Sequence, residues 1–308
     1  MDLSGARVLV TGGAGFVGSH LAERLVADNE VTVVDNLANG DADWVPDGAG
    51  FVEGDLTDPA VAAEVITDGL DLVVHCAADK AADRDDVDQF RLNNRLTETV
   101  VERMDAAGVR KLAFTSSSTV YGEAPRPTPE DHPPEPISVY GASKVAEEAL
   151  LSVYGHSHGF TTWSFRFANV VGPRLQPGAV IVDFIEKLKR DPDRLEVLGD
   201  GRQRKSYLHV DDCVDAMVTV IEAADDPVNV YNLGTRDATR VDDIAAIVAD
   251  EMGLDPTLEH TGGDRGWVGD VPRMQLDVSK LEALGWEAAL ASDEAVRRAT
   301  RELLEERG

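Results

Sequence analysis

The chain has only two cysteines in 308 residues, Cys76 and Cys213. Their positions match neither a disulfide framework nor a metal-ligand pattern, so both read as reduced structural thiols. Lysine is scarce too, with seven in all, at positions 80, 111, 144, 187, 189, 205 and 280. Aromatic residues make up 6%, and no apolar run approaches the roughly 18 residues needed to span a bilayer. The N-terminus enters an apolar strand almost at once, so no signal peptide is expected and the protein is assigned to the cytoplasm. We find no internal repeat and no low-complexity tract.

Positive charge as a whole is in deficit. Against 57 Asp and Glu stand 29 Lys and Arg, which gives a net charge of −28 and a pI near 4.4. Such a surface repels nucleic acid and anionic membrane, so neither is expected as a partner. The acids are dispersed along the chain. Together with the shortage of lysine, they point to adaptation to high salt, where screening lowers self-repulsion. Docking of a basic partner is the alternative.

At this length, with 43% hydrophobic residues, the chain can bury a large core in one or two domains. Short apolar runs at 7–11, 30–35, 50–53, 71–75, 111–117 and 161–166 read as strands. Helical patterns lie between them at about 15–28, 59–67, 87–107 and 139–156. This alternation predicts an α/β fold with a parallel sheet covered on both faces. The proline- and acid-rich stretch 122–136 reads as a loop over the sheet edge. Beyond Asn169 the alternation breaks up, although 228–233 looks like one more strand returning to the sheet. His209, Asp211 and Asp212 read as the cap of a helix beginning near Val210; a metal site is the alternative.

Thr11-Gly12-Gly13-Ala14-Gly15-Phe16-Val17-Gly18 closes the first strand and opens the first helix. Glycines in such a turn let the backbone approach a pyrophosphate, which the helix N-terminus then holds. Asp35 ends the second strand 20 residues after Gly15, at the spacing of a carboxylate that binds the adenosine ribose. A carboxylate there repels a 2′-phosphate, so NAD is expected rather than NADP. Tyr140 and Lys144 lie four residues apart on one helix face. The ammonium is expected to lower the phenol pKa toward neutrality and make Tyr140 an acid/base group. Ser116-Ser117-Ser118-Thr119-Val120-Tyr121-Gly122 precedes the pair by one loop.

With these motifs the chain resembles the extended short-chain dehydrogenase/reductase family, and within it the NAD-dependent nucleotide-sugar epimerases and dehydratases. The resemblance covers nearly the whole chain. It implies a Rossmann-type doubly wound parallel sheet over residues 1–168 and about 206–234. A smaller interleaved C-terminal substrate lobe would comprise 169–205 and 235–308. It implies cofactor contacts from Gly12, Gly15, Phe16, Val17, Gly18, Asp35, Asn36, Asp55, Leu56, Ala77, Ala78, Lys80, Asn93, Tyr140 and Lys144, with Asn94 the alternative to Asn93. It implies catalysis by Ser117, Tyr140 and Lys144, with Ser118 the alternative to Ser117. Substrate contacts would come from Ser117, Tyr140, Asn169, Val197, Lys205 and Arg265. Family members usually carry Arg where Lys205 stands and Asp where Ser206 stands. The spacing from Arg265 to Gly269-Asp270 is longer than in the family motif.

The same resemblance narrows the reaction. The family's 4,6-dehydratases carry Asp-Glu directly after the catalytic hydroxyl residue, where this chain has Ser118 and Thr119. Its decarboxylases keep a glutamate at the second place, again Thr119 here. What remains is reversible oxidation at C4 of a nucleotide sugar, most simply 4-epimerisation of UDP-glucose and UDP-galactose. A 4-ketoreductase and a catalytically silent dinucleotide sensor are the alternatives. The resemblance also implies a homodimer built on helices 87–107 and 139–156, with Val100, Met104, Val145, Leu150 and Val153 as its apolar core.

Overall fold

Alternating strands and helices run through the first half of the chain in the computed structural model, which describes residues 1–80, 86–266 and 269–307. The strands are β1 (Arg7–Thr11), β2 (Glu30–Asp35), β3 (Gly50–Glu53), β4 (Leu72–His75), β5 (Lys111–Ser117), β6 (Thr161–Phe167) and β7 (Asn169–Val171). They continue as β8 (Arg194–Val197), β9 (Arg204–Lys205), β10 (Tyr207–His209), β11 (Val228–Leu233), β12 (Thr239–Arg240), β13 (Thr257–His260) and β14 (Arg273–Met274). The helices are α1 (Phe16–Val26), α2 (Pro59–Val65), α3 (Val87–Ala107), α4 (Val139–Ser157), α5 (Val180–Arg190), α6 (Val210–Ala223), α7 (Val241–Met252), α8 (Ser279–Glu282) and α9 (Ser292–Glu306).

Seven strands form one sheet in the order β3-β2-β1-β4-β5-β6-β11, every pairing parallel. The strands read as unbroken apolar runs because both faces are buried. Val8 and Val10 of β1, with Leu72 and Val74 of β4, pack into one core, which continues into α5, α6, α7 and α9. Leu9, Val73, Leu112 and Phe114 point the other way, into a second core beneath α2, α3 and α4. The chain moves outward from β1 to β3 and then restarts at β4 on the opposite side of β1. The crevice at the C-terminal ends of β1 and β4 is therefore the switch point at which such sheets bind ligands.

Side-chain caps set several of the helix starts. Asp58, Asp86 and Ser138 accept from backbone N–H groups in the first turns of α2, α3 and α4. His209 caps α6, accepting from Asp211 N. Among the described residues no group of His, Cys, Asp and Glu could hold a metal. None of their helices is long and apolar enough to cross a membrane. The element boundaries differ by a residue or two from those expected. β4 begins at Leu72, one residue later than expected.

The expected dimer core needs correction. Val100 and Met104 are fully buried against the sheet, because the apolar stripe of α3 faces inward, and Val145 and Leu150 are half-buried. Of the five residues only Val153 is exposed, at 52%.

Beyond β6, three small sheets carry the remaining strands: β7 with β10, β8 with β13, and β12-β9-β14.

Candidate active site

The turn after β1 runs close under the loop after β4. Gly12 has φ 64°, and a Cβ on it would lie 2.7 Å from Ala77 N; a Cβ on Gly18 would collide with the Gly12 carbonyl. A side chain at either place would push these segments apart. The first i−4 bond of this turn is Ser19 N–H to Gly15 O, at 3.0 Å. The N–H groups of Phe16, Val17 and Gly18 precede it at the helix N-terminus, where anions are held. Lys80 Nζ stands 6.0 Å from the Phe16 ring centroid, above the same terminus.

Asp35 is buried, and its carboxylate accepts from Ala14 N at 3.0 Å and Leu37 N at 2.8 Å. Two of its roughly four lone-pair positions stay open to a ribose diol. Asp55 lies beside it across the β2–β3 edge. Hydrogen bonds from Thr57 hold its carboxyl below the usual carboxylate range, with a smaller contribution from Asn36. Leu56 is buried behind them.

A chain of buried polar groups ties the two halves of the crevice together. Thr11 Oγ1 lies 2.7 Å from His75 Nδ1 and accepts from Ala77 N at 3.3 Å. His75 Nε2 lies 3.2 Å from Thr97 Oγ1, which donates to Glu147 Oε2 at 3.0 Å. The same Glu147 oxygen accepts from Lys144 Nζ at 3.2 Å, and both side chains are 1% exposed. Burial, followed by the charge of Lys144, pushes His75 down to about 3, so this imidazole is neutral. Asn93 accepts from Asp79 N at 2.8 Å and donates to Asp79 O and Ser143 Oγ. Both of its amide hydrogens are spent inside the protein, so Asn93 ties the 77–80 loop to α4 and has none left to donate to a cofactor.

Lys144 Nζ lies 4.5 Å from the Phe114 ring centroid and 5.7 Å from that of Tyr140. Burial works against its charge, but Glu147 and then Tyr140 outweigh it and hold Lys144 above its ordinary value. Tyr140 departs from expectation. Burial raises its phenol above the ordinary range; Lys144 pulls it back, and Glu147 and Asp79 oppose that pull. Lys144 thus acts in the direction expected of it, but Glu147, one turn on, offsets it. Sequence reading passed over Glu147. Its i+3 spacing from Lys144 was the available signal.

Ser117 Oγ accepts from Thr119 N at 3.2 Å and Thr119 Oγ1 at 2.9 Å. With both lone pairs occupied, its own O–H remains to donate outward. Ser116 is turned away and donates to Glu148, which also holds Arg166 with contacts down to 2.6 Å. Arg166 donates in turn to Tyr121 Oη at 2.8 Å. This pair pins α4 to the sheet end.

On β9, Lys205 Nζ pairs with the buried Asp270 at 2.5 Å. Arg265 donates to the Asp270 carbonyl at 3.1 Å and pairs with Glu123. The two cations proposed for a diphosphate therefore meet at Asp270, despite the altered spacing of Arg265. Asn169 pairs in register with Tyr207 at the edge of the same region. Val197 is not brought to this surface. β8 alternates exposed and buried, and Val197 falls on the inward side, at 0% exposure in the main core.

Comparison with known proteins agrees with this geometry. The model of the NAD dependent epimerase/dehydratase family matches residues 8–234. The UDP-glucose 4-epimerase of Mycolicibacterium smegmatis is 34% identical over 94% of this chain and 96% of its own. A solved UDP-galactose 4-epimerase superposes with a TM-score of 0.89 at 44% identity, over 97% of this chain and 99% of its own. The Thermus thermophilus UDP-glucose 4-epimerase, solved in complex with NAD, superposes at 0.86 with 34% identity, over 96% and 98%.

Proposed function

This chain belongs to the NAD dependent epimerase/dehydratase family, and from that premise we propose a UDP-hexose, UDP-glucose or UDP-galactose, as its substrate. The protein is an NAD-dependent enzyme that epimerises a nucleotide sugar at C4. The glycine cradle, the helix N-terminus and the open lone pairs of Asp35 fit the cofactor. When bound, NAD supplies a reversible hydride acceptor, so the sugar passes through a 4-ketone and is reduced on its other face.

The residues of the chain manage the proton. Tyr140 Oη takes the proton from the sugar 4-hydroxyl and returns it, and Lys144 beneath the ring favours the anionic phenolate while that happens. Ser117 donates its free O–H to the reacting oxygen and shares its developing charge. The observation that carries this reading is the buried Lys144 beneath Tyr140, with Ser117 presented as a donor and only hydroxyls at Ser118 and Thr119 beside it. No carboxyl stands there to drive elimination.

We assign residues 1–168 and 206–234 to the cofactor, and 169–205 and 235–308 to the sugar nucleotide, with Asn169, Lys205 and Arg265 at the diphosphate. Val153 and Leu92, exposed on α4 and α3, support a homodimer through these helices, to be read as molecular mass in scattering. The excess of acids supports a protein that works at high salt, so activity should rise toward molar salt, and the two free thiols support a place inside the cell.

Incubation with UDP-galactose and catalytic NAD, without added reductant, should yield UDP-glucose to equilibrium. Stoichiometric consumption of NADH by a keto-sugar would instead identify a ketoreductase, and no turnover a sensor. Tyr140→Phe should lose at least about a hundredfold in kcat, the scale of a missing acid/base group.

A further inference from the structure

In a chain with a net charge of −28, five arginines line one open groove of about 470 Å³ on the lobe. They are Arg126, Arg202, Arg204, Arg240 and Arg273, and Ala238, Met274 and Gln275 complete the walls. The arrangement is set by strand register. Arg204 at the centre of the β12-β9-β14 sheet pairs directly with Arg240 on one side and with Arg273 on the other. Residues paired this way share one face, about 5 Å apart, and like charges so placed destabilise a sheet. Arg202 joins them from the turn before β9, and Arg126 from the loop beyond β5.

The groove has little internal neutralisation. Most described arginines elsewhere hold a carboxylate within 4 Å, as in Arg166–Glu148, Arg174–Glu23 and Arg297–Glu251. Among the described residues, the only ion pair of the groove arginines is Arg240 with Asp242, at 3.7 Å. Asp242 is itself shared with His260 at 2.8 Å. Arg204 spends one N–H on the Ala238 carbonyl. A row of guanidiniums left facing one another costs stability in the empty protein, and a multivalent anion would turn that cost into binding.

We propose that this groove is a binding site for a compact polyanion of the oligophosphate class, separate from the substrate diphosphate site. Guanidinium forks match phosphate oxygens bidentately. Among the described residues no aromatic side chain lines the groove, and the charge itself is what is recognised. The site is distinct from the crevice because neighbours on a strand face opposite ways. Arg204 points into the groove, and Lys205, the next residue, points inward to Asp270. The proposal does not depend on the sugar substrate.

The test is titration calorimetry of the full chain, saturated with NAD and UDP to occupy the crevice, with sodium tripolyphosphate as the probe. One further site is expected. Its affinity should fall roughly tenfold or more in Arg204→Ala/Arg273→Ala and stay unchanged in Lys205→Ala. Without the anion, the double variant should melt at the same or a higher temperature, because like-charge contacts are relieved; a purely structural role would lower it. If it fails to fold, Arg126→Ala/Arg202→Ala, in loops, should show the same loss. Absence of binding, unchanged affinity in either double variant, or an equal rise in melting temperature from NaCl at matched ionic strength would each overturn the proposal.

Discussion

Glu147 allows the electrostatics of the site to be tested without touching a reacting group. Its carboxylate and the Lys144 ammonium lie 3.2 Å apart and are 1% exposed. At an effective dielectric constant of ~20 their attraction is about 5 kcal/mol before desolvation is counted. Removing one member of such a pair costs about 3–5 kcal/mol. Glu147→Gln keeps an oxygen for Thr97 and Lys144, so the lower end applies, about 3 kcal/mol, or roughly 5 °C in melting temperature for a chain of this size. The effect on catalysis has the opposite sign. Glu147 raises the Tyr140 phenol pKa. With that charge gone and Lys144 still cationic, the phenol should titrate lower. The acid limb of kcat against pH should therefore move to lower pH while the melting temperature falls. An acid limb that stays in place or moves up would refute the reasoning, because it would mean that Lys144 loses its proton when Glu147 is neutral.

Asp35→Ala should weaken NAD binding more than NADP binding in fluorescence titration; unmodified protein that binds NADP as well as NAD would refute the ribose assignment. Lys205→Ala should raise KM for the nucleotide sugar strongly and leave NAD binding intact. It also strands the buried Asp270, so Lys205→Ala/Asp270→Asn should regain stability without regaining KM; normal KM in the single variant would show the diphosphate to lie elsewhere. His75 is neutral in the folded protein, pushed down to about 3, whereas an unfolded histidine titrates near ~6.5. Between those values the unfolded chain binds a proton that the folded chain does not. Stability should then fall as pH drops from ~6.5 toward ~3, by up to about 1.4 kcal/mol per unit. A urea-melt series in which wild type and His75→Gln show the same slope would refute this assignment.

The nucleotide half was legible because its signals are local. Strand periodicity, a glycine turn and an acid at the end of β2 each specify their structure within a few residues, and the sheet order follows from them. Tyr140 and Lys144 were legible for the same reason. Glu147 was not, because its meaning depends on Thr97 and His75, contributed by α3 and β4. Val197 was misplaced because a resemblance gives a position along a strand, and only the β8 register shows which face that position takes. Arg204 lies 36 residues from Arg240 and 69 from Arg273 in the chain, and only the pairing of three short strands brings the three into one row.

The main hydrophobic core runs from Val8 and Val10 of β1 through Trp163 and Phe165 of β6 into Ile185, Met217, Val248 and Leu303 of the later helices. One continuous apolar cluster joins the sheet to these later helices. A hinge between them would have to expose side chains that are now wholly buried, so the two parts cannot swing apart and shut around a ligand as separate bodies do. Admission and release must be handled by the loops at the crevice rim. Heat or denaturant should then dissolve cofactor half and lobe together, as one cooperative event.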